Sequence, residues 1–235
     1  MSAPASALAA NLQQVQERIA GAAERAGRAG ADVTLVAVSK TFPAEAIRAA
    51  YSAGVRHFGE NRVQEWEAKA PLLSDLDATW HLIGHLQSNK ARRAVHLFHR
   101  VDSVDSLALA QKLDAAAAEE GKRLRVLIEV HLGEEATKSG IAETELIGLA
   151  KGIVALPQLE LHGLMAIPPF TDDPEGARPY FRKLRELRDN LSRALEKPLP
   201  TLSMGMSHDF EVAIEEGATE IRVGTAVFGA RAPAA

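Results

Sequence analysis

Apolar positions in the first thirty residues recur at spacings of four and three: Leu8, Leu12, Val15, Ile19, Ala22 and Ala26. That period puts them on one face of an amphipathic helix, which ends in the stretch from Gly27 to Gly30. From Val33 onward the pattern changes. Short apolar runs of the kind that form buried parallel strands alternate with helix-period segments: strand 33–38, helix 43–53, strand 55–58, helix 61–69, strand 79–83, helix 88–96, strand 97–101 and helix 104–119. Strand 124–130, helix 142–154, strand 159–165, helix 174–196, strand 200–203, helix 207–216 and strand 219–223 continue the series.

The pattern amounts to about eight βα units in a chain near the ~250 residues in which a closed parallel barrel is usually built. A doubly wound open sheet is the rival, but it advertises a Gly-rich first turn, and no G-x-G-x-x-G follows any strand here. No low-complexity linker separates the units. The expectation is an α/β fold with a single (β/α)8 TIM-type barrel over residues 31–230. An additional N-terminal helix within 1–30 packs on it, and a tail over 231–235 frays.

Composition changes the picture mainly by exclusion. At 46% hydrophobic and 25% charged residues the chain is ordinary globular protein. A net charge of −4 provides no global field toward nucleic acid or an anionic membrane, so any anion must be held locally. The absence of cysteine excludes disulfides, thiolate metal sites and a cysteine nucleophile. Met1-Ser2-Ala3-Pro4 lacks a basic n-region with an apolar h-region, and no stretch approaches the ~18 apolar residues of a membrane span, which makes a cytoplasmic protein the expectation.

In a barrel of this kind chemistry sits at the carboxyl ends of the strands. The first strand leads into Ser39-Lys40-Thr41. A lysine at a strand end ordinarily snorkels into water. Held at the edge of an apolar interior, its amine loses hydration, its pKa falls, and it can attack a carbonyl as a neutral nucleophile. The other strands lead into Gly59-Glu60-Asn61, into Gly84-His85 with Gln87, into Asp102-Ser103, into His131 and into Met165-Ala166-Ile167-Pro168. The last two lead into Ser203-Met204-Gly205-Met206-Ser207 and Arg222-Val223-Gly224-Thr225. Glycines that admit close backbone approach, hydroxyl donors, and a helix start that Ser207 could cap read either as simple helix capping with a tight turn or, because they end adjacent strands, as a phosphate cup where barrels commonly hold one. Asp209 and Glu211 oppose an anion there unless they point away. A phosphate cup facing a desolvated lysine suits a phosphorylated aldehyde or ketone, as a pyridoxal phosphate imine or as the substrate of a Schiff-base aldolase.

Val36-Ala37-Val38-Ser39-Lys40, His57-Phe58-Gly59-Glu60-Asn61, Trp80 to Lys90, Gly163-Leu164-Met165, Ser203 to Ser207 and Arg222 to Gly229 together resemble the pyridoxal phosphate homeostasis protein family. The likeness runs from the first strand to the eighth. That family is similar to the barrel domain of alanine racemase, a fold-type III arrangement, and binds pyridoxal 5′-phosphate (PLP) as a lysine imine without an established catalytic reaction. The resemblance implies that Lys40 forms the imine. It also implies that Ser203, Met204, Gly205 and Ser207 with Gly224 and Thr225 hold the phosphate, that Asn61, Ile83 and Met165 line the ring, and that Arg222 lies near it. It further implies a role in PLP homeostasis, with PLP-dependent apo-enzymes as recipients. His208 departs from the acidic residue many relatives show there.

The residues favour a carrier over an enzyme. A racemase needs acid and base on opposite faces of its substrate. The only tyrosines, Tyr51 and Tyr180, fall in predicted helices, leaving His81, His85, His131 and His208 as bases. Racemization with PLP stays the alternative and the aldolase a weaker one. If Arg222 contacts the pyridine nitrogen it can only donate, which leaves the ring a poor electron sink; if it reaches phosphate, that argument lapses. A site left uncovered lets water hydrolyse the imine. His81 and His85 stand at i, i+4 without the helix and glutamate of H-E-x-x-H, so no metal is expected. Arg178, Arg182, Lys183, Arg185, Arg188 and Arg193 alternate with an apolar stripe and read as a solvated helix face. Without a second domain the expected state is a monomer.

Overall fold

In a computed structural model of the protein, which describes residues 5–133 and 139–229, eight parallel strands close into a barrel in chain order. They are β1 (Thr34–Val38), β2 (His57–Glu60), β3 (Thr79–Leu82), β4 (Arg100–Val104), β5 (Leu124–Glu129), β6 (Leu159–Met165), β7 (Thr201–Ser203) and β8 (Glu220–Val223). The helices are α1 (Ala5–Arg25), α2 (Ala44–Ser52), α3 (Val63–Lys69), α4 (Ala91–Leu97), α5 (Leu107–Glu119), α6 (Leu146–Val154), α7 (Arg178–Ala194), α8 (Phe210–Glu215) and α9 (Thr225–Phe228). Met1–Pro4 and the tail expected to fray over 231–235 lie outside the described residues.

Strand alternation sorts the side chains into two environments. Ala37, Phe58, Trp80, Leu82, Val101, Val126, Ile128, Leu164, Leu202, Ile221 and Val223 join the apolar layer beneath the helices. Their neighbours in sequence point inward: Val36 and Val38, His57 and Gly59, His81 and Ile83, Arg100 and Asp102, Leu127 and Glu129, Met165, Ser203, and Glu220 and Arg222. Helix α1 lays Leu8, Leu12, Val15 and Ile19 into the outer layer. It is tied to the last two helices by Arg18 to Glu211 (2.6 Å), Arg25 to Glu215 (2.7 Å) and Asn11 Nδ2 to the Val227 carbonyl (3.2 Å). Among the described residues, no helix is long and apolar enough to cross a membrane.

Several boundaries move. The apolar run around Leu97 and Phe98 belongs to the end of α4, where Phe98 N–H bonds the Ala94 carbonyl, so β4 begins at Arg100 rather than at 97. Asp102 and Ser103 are consequently strand residues, and Asp105-Ser106 follow the strand instead. Strand β2 starts at His57 rather than 55, which brings Gly59 and Glu60 into the sheet. The helices expected from 88, 142 and 174 open with 3-10 turns at Ser88–Lys90, Glu143–Glu145 and Pro174–Ala177.

Candidate functional site

Lys40 is half-buried in the turn that follows β1, two residues past inward-facing Val38. The backbone on either side of it is pinned. Ser39 N–H donates to the Gly59 carbonyl (2.9 Å), and Ser39 Oγ donates to Glu60 Oε1 (2.7 Å). Thr41, at φ 69°, has its N–H held by the Glu65 carboxylate. Lys69 Nζ gathers these groups from outside the barrel, 3.1 Å from Glu60 Oε1, 2.7 Å from Glu65 Oε1 and 3.2 Å from the Ser39 carbonyl. Burial raises the pKa of Glu60 against the pull of Lys69 and Ser39.

Across β1 on its other side lie the ends of β7 and β8. Gly224 abuts the end of β1, where an added Cβ would lie 3.4 Å from Val38 Cβ. Ser207 does not cap α8 as expected: that helix starts at Phe210, and Ser207 Oγ accepts instead from the N–H groups of Gly224 (3.3 Å) and Ala226 (3.4 Å), joining the two loops. The two acidic groups feared there turn away from the rim. Asp209 is buried with Oδ1 accepting the Met206 N–H (2.7 Å), and Glu211 pairs with Arg18. Gly205 has φ 93°, and a Cβ there would meet Ala213 Cβ at 2.6 Å, so its glycine admits α8 rather than a ligand. Met204 is wholly buried in the outer layer; only its backbone belongs to the rim. Arg222 is buried, donating from Nη1 to Ser203 Oγ (2.7 Å) and from Nη2 to the Ala166 carbonyl (2.9 Å). His208 Nε2 lies 3.1 Å from the carbonyl oxygens of both Thr171 and Asp172, away from Ser207 Oγ's own partners. Thr225 is exposed at the head of α9.

Ile83 and Met165 are buried on the inner face, and Gly59 makes room for the former, since a Cβ there would stand 2.9 Å from Ile83 Cδ1. Gly84 lets Asn61 approach: its Cβ would lie 2.5 Å from the Asn61 carbonyl oxygen. Beside Asn61 a cleft of about 440 Å³ is lined by Arg62, Gln64, His85, Gln87 and Lys90. At this end of the barrel Asn61 Oδ1, Glu129 Oε2 and His131 Nε2 are buried without a hydrogen-bond partner among the described residues. Burial raises Glu129 to about 7 against the pull of Arg222.

Beneath the mouth the interior is filled by charge. His81 Nδ1 lies 2.8 Å from Asp102 Oδ2, Arg100 Nε 3.3 Å from Asp102 Oδ1, and Arg100 Nη1 2.9 Å from Glu220 Oε2. His81, Asp102 and Glu220 present ligand atoms within 4.8 Å of one another, and the Arg100 guanidinium already supplies the cation between the two carboxylates. His85, in the turn that leaves β3, is exposed and paired to Asp105 at 3.2 Å. Sequence reasoning missed Arg100, Glu129 and Glu220. Their signal was parity: Arg100 and Asp102 flank outward Val101, and Glu220 and Arg222 flank outward Ile221.

Residues 5–232 match the family model for the alanine racemase N-terminal domain. The chain is 49% identical over 220 residues to the pyridoxal phosphate homeostasis protein of Aquifex aeolicus, covering 94% of this chain and 96% of that one. It is 48% identical over 226 residues to the protein of the same name from Pseudomonas aeruginosa, covering 96% of each. Among solved structures, PipY of Synechococcus elongatus PCC7942 with PLP bound matches with a TM-score of 0.85 at 42% identity, over 94% of this chain and 100% of that one.

Proposed function

This chain belongs to the pyridoxal phosphate homeostasis protein family, and from that premise we propose that it binds PLP reversibly through Lys40 and serves as a cytoplasmic PLP carrier or buffer that does not turn over a substrate. The observation that carries the reading is the convergence, on one end of one barrel, of Lys40 with the Ser207-linked loops and buried Arg222. The solved relative PipY, 42% identical along this chain, holds PLP.

The residues fit the group. Asn61 Oδ1 is a buried acceptor with no partner among the described residues, and a guanidinium has more N–H donors than the two that Arg222 directs at Ser203 and Ala166. PLP, when bound, supplies an aldehyde with which a neutral primary amine condenses reversibly. Lys40 is that amine, held by a turn whose flanking backbone is fixed from Gly59 and Glu65. Ser203, Ser207, Gly224 and Thr225 hold the phosphate, with the backbone of Met204 and Gly205 shaping the cup. Ile83 and Met165 pack against the ring and Asn61 lines its edge.

Where Arg222 meets the ring nitrogen it can only donate, which withholds the positive charge there that carbanion chemistry draws on; a contact to phosphate alone carries no such consequence. Tyr51 and Tyr180 sit on α2 and α7, outside the barrel, so neither serves as a base opposite Lys40. The protein acts as a monomer and passes PLP to PLP-dependent apo-enzymes.

Purified protein should absorb in the visible range, and borohydride reduction followed by peptide mass spectrometry should place the cofactor on Lys40. Lys40→Ala should abolish both signals. A colourless protein that takes up no added PLP, or label on another lysine, refutes the assignment. Exchange of the α-hydrogen of single-enantiomer amino acids in deuterated water at turnover rates would refute the non-catalytic part.

A further inference from the structure

The proposed PLP site leaves a buried carboxyl unused. In a ring of eight strands joined in chain order, β5 stands four places from β1 in either direction, so their ends face each other across the mouth. Glu129 closes β5 and is 5% exposed. Its main chain is fixed, with the Ile141 N–H bonded to the Glu129 carbonyl at 2.8 Å. Its side chain shares the inward face with Leu127. Two residues on, past Val130 of the outer apolar layer, comes His131. Glu129 Oε2, an acceptor, and His131 Nε2, an acceptor in one imidazole tautomer, are both buried and no described residue satisfies them. Buried acceptors left unpaired are costly, and a donor brought by a ligand removes the cost.

Among the described residues, the charged groups that face Glu129 are Arg222 from β8, His85 from the turn after β3 and Asp105 from the turn after β4. His85 is engaged with Asp105 at 3.2 Å, and Arg222 with Ser203 and Ala166. The donor that fits has positive charge and at least two N–H groups on a compact head, which describes a primary ammonium with its three donors.

The geometry points to the end of β5 as a subsite for a primary alkylammonium ion, held by Glu129 Oε2 and His131 Nε2 opposite Lys40. Its place in PLP exchange, as the amine that competes with Lys40, rests on the proposed function; the binding itself does not.

The test titrates PLP-free protein with n-propylamine by calorimetry and by NMR between pH 6 and 8.5. Saturable binding is expected, tightening as pH rises through about 7, where the Glu129 carboxyl ionises. Loss of this charge-assisted contact in Glu129→Gln should weaken binding about tenfold at pH 8. His131→Leu should weaken it as well, and keeps the test decisive if Glu129→Gln fails to fold. Tetramethylammonium, equal in charge but without N–H donors, should not compete. No saturable binding to the native chain, equal affinity in the variants, or competition by tetramethylammonium overturns the subsite. So does a variant that alters PLP affinity in amine-free buffer while amine affinity stays unchanged, because Glu129 then serves the cofactor itself. Amine binding that depends on Glu129 in a protein that takes up no PLP supports the subsite and refutes the PLP reading alone.

Discussion

Lys69 governs the setting of Lys40 from outside the barrel. Glu60 is fully buried, and its charge is tolerable there because Lys69 Nζ lies 3.1 Å away while Ser39 Oγ donates to the same oxygen. Removing one partner of a buried pair leaves the other uncompensated. Lys69→Met should therefore destabilise the protein by about 3 kcal/mol in chemical denaturation, and adding Glu60→Gln should recover part of that loss. An unchanged denaturation midpoint would show that Glu60 is neutral in the native state. The place of Lys40, in the turn after β1, was legible in the sequence because an apolar run ends just before it, at Val38. Glu129 was not, because a carboxylate closing the apolar run of β5 reads as the first polar residue of a turn. Only the inward parity it shares with Leu127 separates the two. Ser207 was read as a cap because a hydroxyl preceded a helix-period segment, whereas its partners, Gly224 and Ala226, are supplied by a different unit of the barrel.

Among the elements, the order and type of all eight strands were readable from apolar periodicity, and the departures have local causes. Strand β4 was placed three residues early because the apolar Leu97 and Phe98 end α4, while the strand itself carries the charged Arg100 and Asp102 on its inner face, where they pair with each other and Arg100 pairs with Glu220. The register between β5 and β6 slips near His162, pairing Leu127 with Gly163. There the chain passes so near β7 that a Cβ on Gly163 would lie 1.8 Å from the Thr201 carbonyl oxygen. Backbone cannot give way as a flexible side chain can. Gly163→Ala should cost at least ~3 kcal/mol, the upper range of overpacking, measured as a lower denaturation midpoint. Equal stability would mean that β6 and β7 separate without loss. Because Met165 follows two residues later, crystallography of a folded variant should also find the Met165 side chain displaced. Helix α1 shows a different limit of sequence reading: its apolar stripe identified a packed face, but Arg18 and Arg25 reach acidic partners on α8 nearly two hundred residues away, pairings that no local period encodes.

For the molecule as a whole, the histidines in and around the barrel contribute to its response to acid. Burial first, then the charges of His81 and Arg100, lower His57 to about 4 against the pull of Asp102. His99 and His162 are lowered too, chiefly by burial. A histidine whose folded pKa lies below its unfolded value of about 6.5 binds protons more readily when unfolded, so its contribution is complete above that pH and is lost as pH falls toward the folded value. The melting temperature should drop between pH 6.5 and 4, and His57→Asn should flatten that slope in a calorimetric pH series. A slope unchanged by the substitution would assign acid lability to other groups.

The ion-paired layer of Arg100, Asp102 and Glu220 beneath the mouth has a further consequence. A tube with a sealed floor has one gateway, so whatever is lodged above the plug departs by the route it arrived. Under the proposed function, PLP arriving and PLP leaving would therefore be mutually exclusive traffic through a single doorway, and any acceptor would have to reach in from the same side or wait until the doorway clears.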